Sequence, residues 1–417
     1  MNTSTSTPRC PYRLDGAGTN IHAEAAALRA RGAATPAELP GGLTAWTVTH
    51  PDLIRRLLTH RDVSKDAHQH WPAYINGEVP SDWPLRVWVD VRNALTAYGS
   101  EHTRLRRPLA AAFSPRRVRL LRPQIKAITQ ALLDDLNATG PDEIVDLRAR
   151  FAWRLPLLVV NALLGVPEEL HDGFRVSIGG LFDTSLTAEE AGAAYSEAYR
   201  LLNVLVETKT KEPGDDVTSA LIAGHSSGTL SRQELLDSLM LVIGAGHETT
   251  VNLLDHAVTN LLTHSAQRAL VVSGQASWEQ VVEETLRHQA PIANIILRFA
   301  ARDILDEPTG LTFRAGDAIV INFAAAGRDP EVHGATAADF DVARPTAGEH
   351  LAFGHGPHFC PGAPLARLEA VTALPMLFET FPELDLAVEQ DVLQPQPSFI
   401  SNGHQTLPVL LRTSSNS

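Results

Sequence analysis

The sequence predicts a mainly α-helical protein with small β-sheets at one side. Three observations carry that expectation. Helical spacing of apolar residues dominates from about Gly99 onward, one such pattern is long enough to cross a whole domain, and strand-like runs are short and scattered. In chain order the helical patterns lie at 118–138, 151–164, 191–210, Ser231 to about Leu270, and 278–288. Ser231 stands at the N-cap of the longest, with Glu234 at the capping-box position. That helix would extend ~60 Å at its ordinary rise. Leu235, Leu236, Leu239, Met240, Val242 and Ile243 place apolar groups on more than one of its faces, as a buried helix requires. Strand-like runs at 43–49, 294–301, 311–323 and 406–412 are too few and too separated for a doubly wound sheet.

The 417 residues are 44% hydrophobic and 20% charged, an ordinary globular balance. With no internal repeat and no long linker, one domain over 16–413 is the economical organisation. Residues 1–15 are rich in Ser, Thr and Pro and lack the pattern of a signal peptide, which predicts a disordered lead-in and a cytoplasmic protein. No run approaches the ~20 apolar residues of a membrane span. Two cysteines, Cys10 and Cys360, argue against a disulfide framework and suit a reducing compartment. A net charge of −13 disfavours nucleic-acid binding. Against that average, residues 100–126 hold eight Lys/Arg and one acid, Glu101, which is either a solvated helix face or a dock for an acidic partner.

Two loops stand out. Residues 66–98 carry Trp71, Tyr74, Trp83, Trp88 and Tyr98. Residues 344–364 are dense in Gly, Pro and His and run into a helical pattern. Long loops in compact domains are more often functional than idle.

The strongest chemical signal is Phe353-Gly354-His355-Gly356-Pro357-His358-Phe359-Cys360-Pro361-Gly362, followed by Ala363-Pro364-Leu365-Ala366-Arg367-Leu368-Glu369. Glycines let the backbone turn tightly and a flat ligand approach closely. Pro364 fits the first turn of a helix. A cysteine at a helix N-terminus meets unpaired N–H groups that favour its thiolate, a ligand for haem iron whose electron donation promotes O–O cleavage. Zinc is the rival, since His350, His355, His358 and Cys360 are all potential ligands, although no second ligand pair accompanies them. A structural cysteine and a dinucleotide loop fit the pattern less well.

The run fills each defined position of the cysteine-ligand signature of the cytochrome P450 superfamily, Phe-x-x-Gly-x-x-x-Cys-x-Gly, and His358 matches the histidine usual in bacterial members. Three further segments resemble that family in the expected order. Ala245-Gly246-His247-Glu248-Thr249-Thr250 lies in the long helix. There Gly244 and Gly246 weaken the helix, and the Thr249 hydroxyl can turn back to the Ala245 carbonyl. Val251 stands where a zinc protease would need a second histidine. Glu284-Thr285-Leu286-Arg287 with Arg344 is similar to the family's buried network behind the cysteine loop. His102 and Arg106 share a helix face, and the likeness assigns them, with Arg298 and His358, to the haem propionates.

The resemblance implies a triangular helical body, haem b held by Cys360, with Phe353, Gly354 and Gly362 shaping its loop, and a monooxygenase reaction using O2. It makes Glu248 a proton relay and Thr249 a stabiliser of the activated oxygen. No flavin-binding pattern is present, so electrons are expected from a ferredoxin and its NAD(P)H-dependent reductase. The basic stretch, through Arg104, Arg107, Arg116 and Arg117, is the candidate dock.

By family position the aromatic loop, 184–190, 292–297 and 398–402 shape the substrate pocket, with Trp71, Trp83 and Trp88 either lining it or anchoring the loop. The stretches 64–72 and 398–404 are similar to an actinobacterial subgroup that oxidises steroids and macrolide precursors. The expected reaction is hydroxylation of a bulky apolar small molecule. Oxidative coupling or another non-hydroxylating oxidation is the alternative, and a zinc-dependent hydrolase the distant one.

Overall fold

The computed structural model describes residues 10–140, 143–182 and 188–411. Its long axis is one buried helix, Arg232–Thr263, begun by the capping box expected of Ser231 and Glu234: the hydroxyl accepts from the Glu234 amide at 3.2 Å and the carboxylate accepts from the Ser231 amide at 2.8 Å. Its 32 residues span about 48 Å. The helix stops short of Leu270 because the His264 ring bonds the Asn260 carbonyl at 2.9 Å while its backbone leaves helical geometry, and a second helix restarts at Ser265–Val272. Leu235, Leu239, Val251, Leu254, Val258 and Leu261 are all buried in the main core. No helix among the described residues is long and apolar enough to cross a membrane.

Other expected helices form with local changes. The pattern at 118–138 becomes Pro115–Leu120 and Arg122–Asn137, with Leu121 at the junction and Pro123 in the first turn of the second. The pattern at 151–164 becomes a wide π turn, Arg148–Ala152, followed by Arg154–Leu164. Ala188–Lys211 and Trp278–His288 match their patterns closely.

The sheets lie as expected in small groups. Six strands run in the spatial order Tyr12–Arg13, Ala34–Glu38, Thr44–Val48, Ala318–Asn322, Asn294–Ala300 and Val63–Ser64. A register shift between Ile295 and Arg298 marks a bulge, beside which Arg298 is buried. The run 311–323 is two strands, parted by a turn in which the Asp317 carboxylate accepts from the Arg314 amide at 2.7 Å. Pro408–Leu410 pairs between Asp385–Leu386 and Ile144–Asp146. Ordered structure begins ahead of residue 16: Tyr12 and Arg13 pair with Ala37 and Glu38, and Leu14 is buried, so the expected lead-in over 1–15 is too long.

Trp71 and Trp83 also differ from a pocket-lining reading. Both are buried in a second core, with Trp71 stacked 5.3 Å from Phe299 and the Trp83 indole donating to the Pro40 carbonyl at 2.8 Å. Trp88 packs half-buried against the same cluster. They anchor the aromatic loop.

Behind the cysteine loop, the helix Trp278–His288 carries a fully buried ion cluster. Glu284 takes two bonds from Arg287, at 2.6 and 2.7 Å, one from Arg344 at 3.4 Å and one from the Asp341 amide at 2.8 Å. Arg287 also reaches the carbonyls of Gly327, Ala337 and Asp339. A Cβ at Gly327 would lie 2.1 Å from the Arg287 carbonyl oxygen, so no larger residue fits. With the remaining donors satisfied by carbonyls, this is a closed network rather than a surface bridge, and it pins the segment 327–344 that leads into the cysteine loop. Replacing Glu284 by Ala strands two buried guanidinium groups. It is expected to cost about 3–5 kcal/mol of unfolding free energy, read as a lowered urea midpoint at unchanged m-value.

Candidate active site

The cysteine loop is shaped by two glycines at positive φ, Gly354 (73°) and Gly356 (71°). At Gly356 a Cβ would lie 2.7 Å from the Leu58 carbonyl oxygen, so the close approach as well as the turn requires glycine. The Cys360 amide donates to the Phe353 carbonyl at 2.9 Å, closing the loop, and Ala363–Thr380 follows as a helix with Pro364 in its first turn. Gly362 leaves its Cβ position 3.7 Å from Cys360 Sγ. Arg367 lies over the Phe353 ring at 4.6 Å and forms two bonds, at 2.5 and 2.9 Å, with Glu283, which also bonds His350. Burial of the sulfur pushes the Cys360 thiol above its ordinary pKa. The amides of Gly362 and Ala363 and the charges of Arg106 and Arg367 pull the other way without overcoming it. The helix N-terminus therefore contributes the direction expected from sequence but does not by itself ionise the thiol.

Beside this loop the four expected cations come together. Arg106 donates to the carbonyl of Phe359, one residue before the cysteine. His102 is buried with its ring 4.0 Å from that of His358, and Arg298 is 5% exposed. A fifth basic group joins them: Lys65, also 5% exposed, reaches the Ile296 carbonyl at 3.3 Å and no carboxylate of the described residues. His102 Nε2 and Arg298 Nη1 have no hydrogen-bond partner. Burial and mutual repulsion act together. Burial depresses Arg298 to about 10 and, with Arg298 beside it, carries Lys65 well below the lysine range. His358 is lowered by burial and then by Lys65, His102, Arg298 and Arg106. No carboxylate of the described residues pairs with Lys65, His102, Arg106, Arg298 or His358. Such a cluster is built to face an anion from outside the chain, and a flat dianion such as haem, with two carboxylates, fits it.

The zinc reading does not fit. Among the described residues, the one three-residue group whose ligand atoms converge is Asp255, His256 and His404, which includes no residue of the cysteine loop. His350 is instead held by Glu283 at 3.1 Å.

On the long helix, Thr249 Oγ1 donates to the Ala245 carbonyl at 2.7 Å, as its spacing predicts. Ala245 is exposed, and Gly244 and Thr249 are half-buried, so one face of this otherwise buried helix fronts open space. A Cβ at Gly244 would meet nothing within 4 Å, whereas one at Gly246 would press on Val160 at 3.2 Å. Gly246 thus serves packing and Gly244 the opening. Glu248 is 6% exposed, and its carboxylate accepts from Arg148 at 3.3 Å. Burial raises its pKa, against the smaller opposing pulls of Arg148, Gln396 and Asn252. His247 faces away and bonds the Trp153 carbonyl at 2.9 Å.

Sequence reasoning missed Lys65, Arg148, Asp255 and His404. Lys65 and His404 sat within the stretches 64–72 and 398–404, whose likeness to an actinobacterial subgroup gave them no role of their own, and Arg148 and Asp255 lie far apart in the chain. Of the expected docking cations, Arg104 is bound to Glu234 (2.5 and 3.1 Å) and Glu101, and Arg117 to Asp215, so neither is free for a partner. Arg107, Arg116, Arg119 and Arg122 are exposed. Pro115, Val118, Arg119 and Arg122 line a groove with Pro364, Arg367 and Leu368, from the helix that begins just after Cys360. In the expected pocket segment 184–190, residues 184–187 lie outside the described residues.

The sequence pattern of the family described as Cytochrome P450 matches residues 278–407. The 2-hydroxy-5-methyl-1-naphthoate 7-hydroxylase of Streptomyces carzinostaticus is 42% identical over 406 residues, covering 97% of this chain and 98% of that protein. The vitamin D(3) 25-hydroxylase of Pseudonocardia autotrophica is 36% identical over 94% of each chain. The structure of CYP154A1 from Streptomyces coelicolor A3(2) superposes with a TM-score of 0.89 at 48% identity, over 96% of this chain and 100% of that one. With its cysteine loop, ion cluster and cation cluster in place, the chain belongs to the cytochrome P450 family.

Proposed function

We propose that this P450 monooxygenase, which binds haem b, hydroxylates a bulky apolar natural product of the polycyclic, steroid or macrolide kind, with electrons from a ferredoxin. The observation that carries the cofactor's placement is the cluster of five basic side chains that no carboxylate of the described residues pairs with. Cys360 would hold the iron, and Lys65, His102, Arg106, Arg298 and His358 would hold the propionates. When bound, the haem supplies the chemistry by which a C–H bond, O2, two electrons and two protons become an alcohol and water.

The chain's own residues then divide the remaining work. Thr249, half-buried on the open face of the long helix, offers a hydroxyl toward the space where oxygen would sit. Its bond to Ala245 keeps that hydroxyl oriented. Glu248, whose pKa burial raises, is the proton source. The hydroxylating reading of the substrate is supported by two relatives named as hydroxylases, one of a naphthoate and one of vitamin D(3). Electron supply by a ferredoxin is supported by the exposed Arg107, Arg116, Arg119 and Arg122, of which Arg119 and Arg122 line a groove with the helix that follows Cys360.

Three measurements test this. Steroids, macrolactones and polycyclic aromatic acids are screened for the haem spin shift that follows loss of iron-bound water; a response confined to small polar ligands would overturn the substrate class. Thr249→Ala is expected to consume NAD(P)H at a near-normal rate while most electrons end in peroxide, measured as product formed per O2 consumed. With an acidic ferredoxin, turnover of the wild type should fall steeply with salt, and Arg119→Glu with Arg122→Glu should weaken the reductase-coupled rate about tenfold while leaving dithionite reduction unchanged.

The cation cluster has its own readout. Lys65→Met removes one propionate partner while keeping the side-chain length. Haem should transfer to apomyoglobin several-fold faster than from wild type, with the carbon-monoxide complex still that of a thiolate-ligated haem.

A further inference from the structure

The proton source on the long helix does not stand alone. Arg148, placed by the π turn at Arg148–Ala152 and 5% exposed, lies between two buried carboxylates. Its Nη2 reaches Glu248 at 3.3 Å, and its Nη1 lies 3.7 Å from Asp255 and donates to Asn252 at 3.1 Å. Asp255 is seven residues along the same helix and fully buried. It accepts from the amide of His404 at 2.8 Å, and His404 Nδ1 lies 3.0 Å from it. The chain of contacts is therefore Glu248–Arg148–Asp255–His404, and it ends on a side chain that is 16% exposed. Gly403 makes the last contact possible: a Cβ there would lie 2.2 Å from Asn252 Oδ1.

We propose that Asp255 and His404 are positioning residues that set how much of Arg148 reaches Glu248, Asp255 by drawing the guanidinium toward itself and His404 by competing with it for Asp255, and so decide when Glu248 keeps and when it gives up its proton. This rests on the reading of Glu248 as the proton source. One guanidinium is shared by two acids. The acid that holds it more firmly stays ionised and leaves the other protonated. Asp255 has the stronger claim. Burial opposes its charge, but His404, His256 and Arg148 together hold its carboxyl well below the usual carboxylate range, whereas Glu248 is raised. The other groups facing the cluster fit that assignment. His256, packed edge-on to His404 at 5.1 Å, is lowered to about 4 by burial; His247 is also lowered to about 4, by burial and then by Arg148. Asp146 is occupied by the amides of Arg148, Ala149 and Leu407, and Gln396 lies against Glu248. A metal on Asp255, His256 and His404 is a poorer account of these residues, because Arg148 already brings a positive charge to the same carboxylate.

The arrangement predicts opposite shifts from two neighbouring substitutions. Asp255→Asn returns the whole charge of Arg148 to Glu248, so Glu248 ionises at lower pH by about one unit or more. The protonated acid is present only below its pKa, so the alkaline limb of coupled turnover moves to lower pH. His404→Ala removes a donor from Asp255, which then draws Arg148 toward itself. Glu248 titrates at higher pH, and the limb moves up. His404→Gln, which can still donate, should restore the wild-type position. The titration is read directly in the haem-loaded enzyme by infrared spectroscopy of carboxyl-labelled glutamate, with the Glu248→Gln spectrum subtracted, after the carbon-monoxide complex has shown that each variant folds. Opposed shifts for Asp255→Asn and His404→Ala support the proposal. Shifts of one sign, or none, overturn it. Should Glu248→Gln itself couple as well as wild type, the reading of Glu248 fails instead, whatever the titrations give.

Discussion

A cation taken out of water costs several kcal/mol unless an anion or a full set of acceptors replaces its hydration. This protein gathers five basic groups, the buried Lys65, His102 and Arg298 with the half-buried Arg106 and His358, from four separate parts of the chain, and no carboxylate of the described residues pairs with them. In the segment that leads into the cysteine loop and the helix packed on it, Glu284, Arg287 and Arg344 form a cluster in which charges and donors are satisfied internally. One cluster is closed and the other is open. The difference separates a structural network from a binding site, since folding alone would not select the open one. The cysteine loop is joined to both, since it follows on the segment 327–344 and carries His358. It takes its rigidity from the closed side, through the pinned segment 327–344, and presents Cys360 and His358 toward the open side.

The same contrast orders the long helix. Most of its length is buried on every face, which suits a strut. At its middle one turn is relaxed: Gly244 faces open space, Ala245 is exposed, and the Ala245 carbonyl is shared with the Thr249 hydroxyl. A helix can tolerate this because the turns on either side are held by packing at Leu235, Leu239, Leu254 and Val258. The opening is thus local by construction, and the polar pair next to it, Glu248 and Thr249, looks in two directions. Thr249 meets the open space, while Glu248 turns into the protein toward Arg148.

Much of this was legible in the sequence where chemistry constrains residue type at short range. The cysteine loop needs glycine at particular turns, the capping box needs Ser and Glu three apart, and the threonine needs a carbonyl four residues back. Each reads off a single segment, and each is present in the structure. What stayed hidden depends on long-range placement. Lys65 acquires its meaning from Arg298 and His358, which the sheet and the cysteine loop bring beside it. Asp255 and His404 are 149 residues apart and meet only because Gly403 lets the C-terminal loop press on the helix. Arg104 and Arg117 looked like free surface charge because their acids, Glu234 and Asp215, lie about a hundred residues downstream. The tryptophans stayed open between two roles for another reason. A large amphipathic ring suits a cavity wall and a loop anchor equally well, and only the neighbours, Phe299 for Trp71 and the Pro40 carbonyl for Trp83, decide between them.

These placements together explain why the two buried acids of the long helix are not equivalent. Both are enclosed, both lie near Arg148, and both belong to one rigid element. Desolvation therefore pushes each toward the neutral form, and only the partners differ. Asp255 takes two bonds from His404, and Glu248 takes one longer contact from Arg148. Since a single guanidinium cannot neutralise both at full strength, the better-bonded Asp255 is held low in pKa while Glu248 is raised. On the proposed reading, a buried acid with a raised pKa beside the opening is suited to delivering protons while bulk water is kept out. Burial alone would supply such an acid only without control. The second carboxylate and its histidine supply the control by fixing how much of Arg148 remains for Glu248.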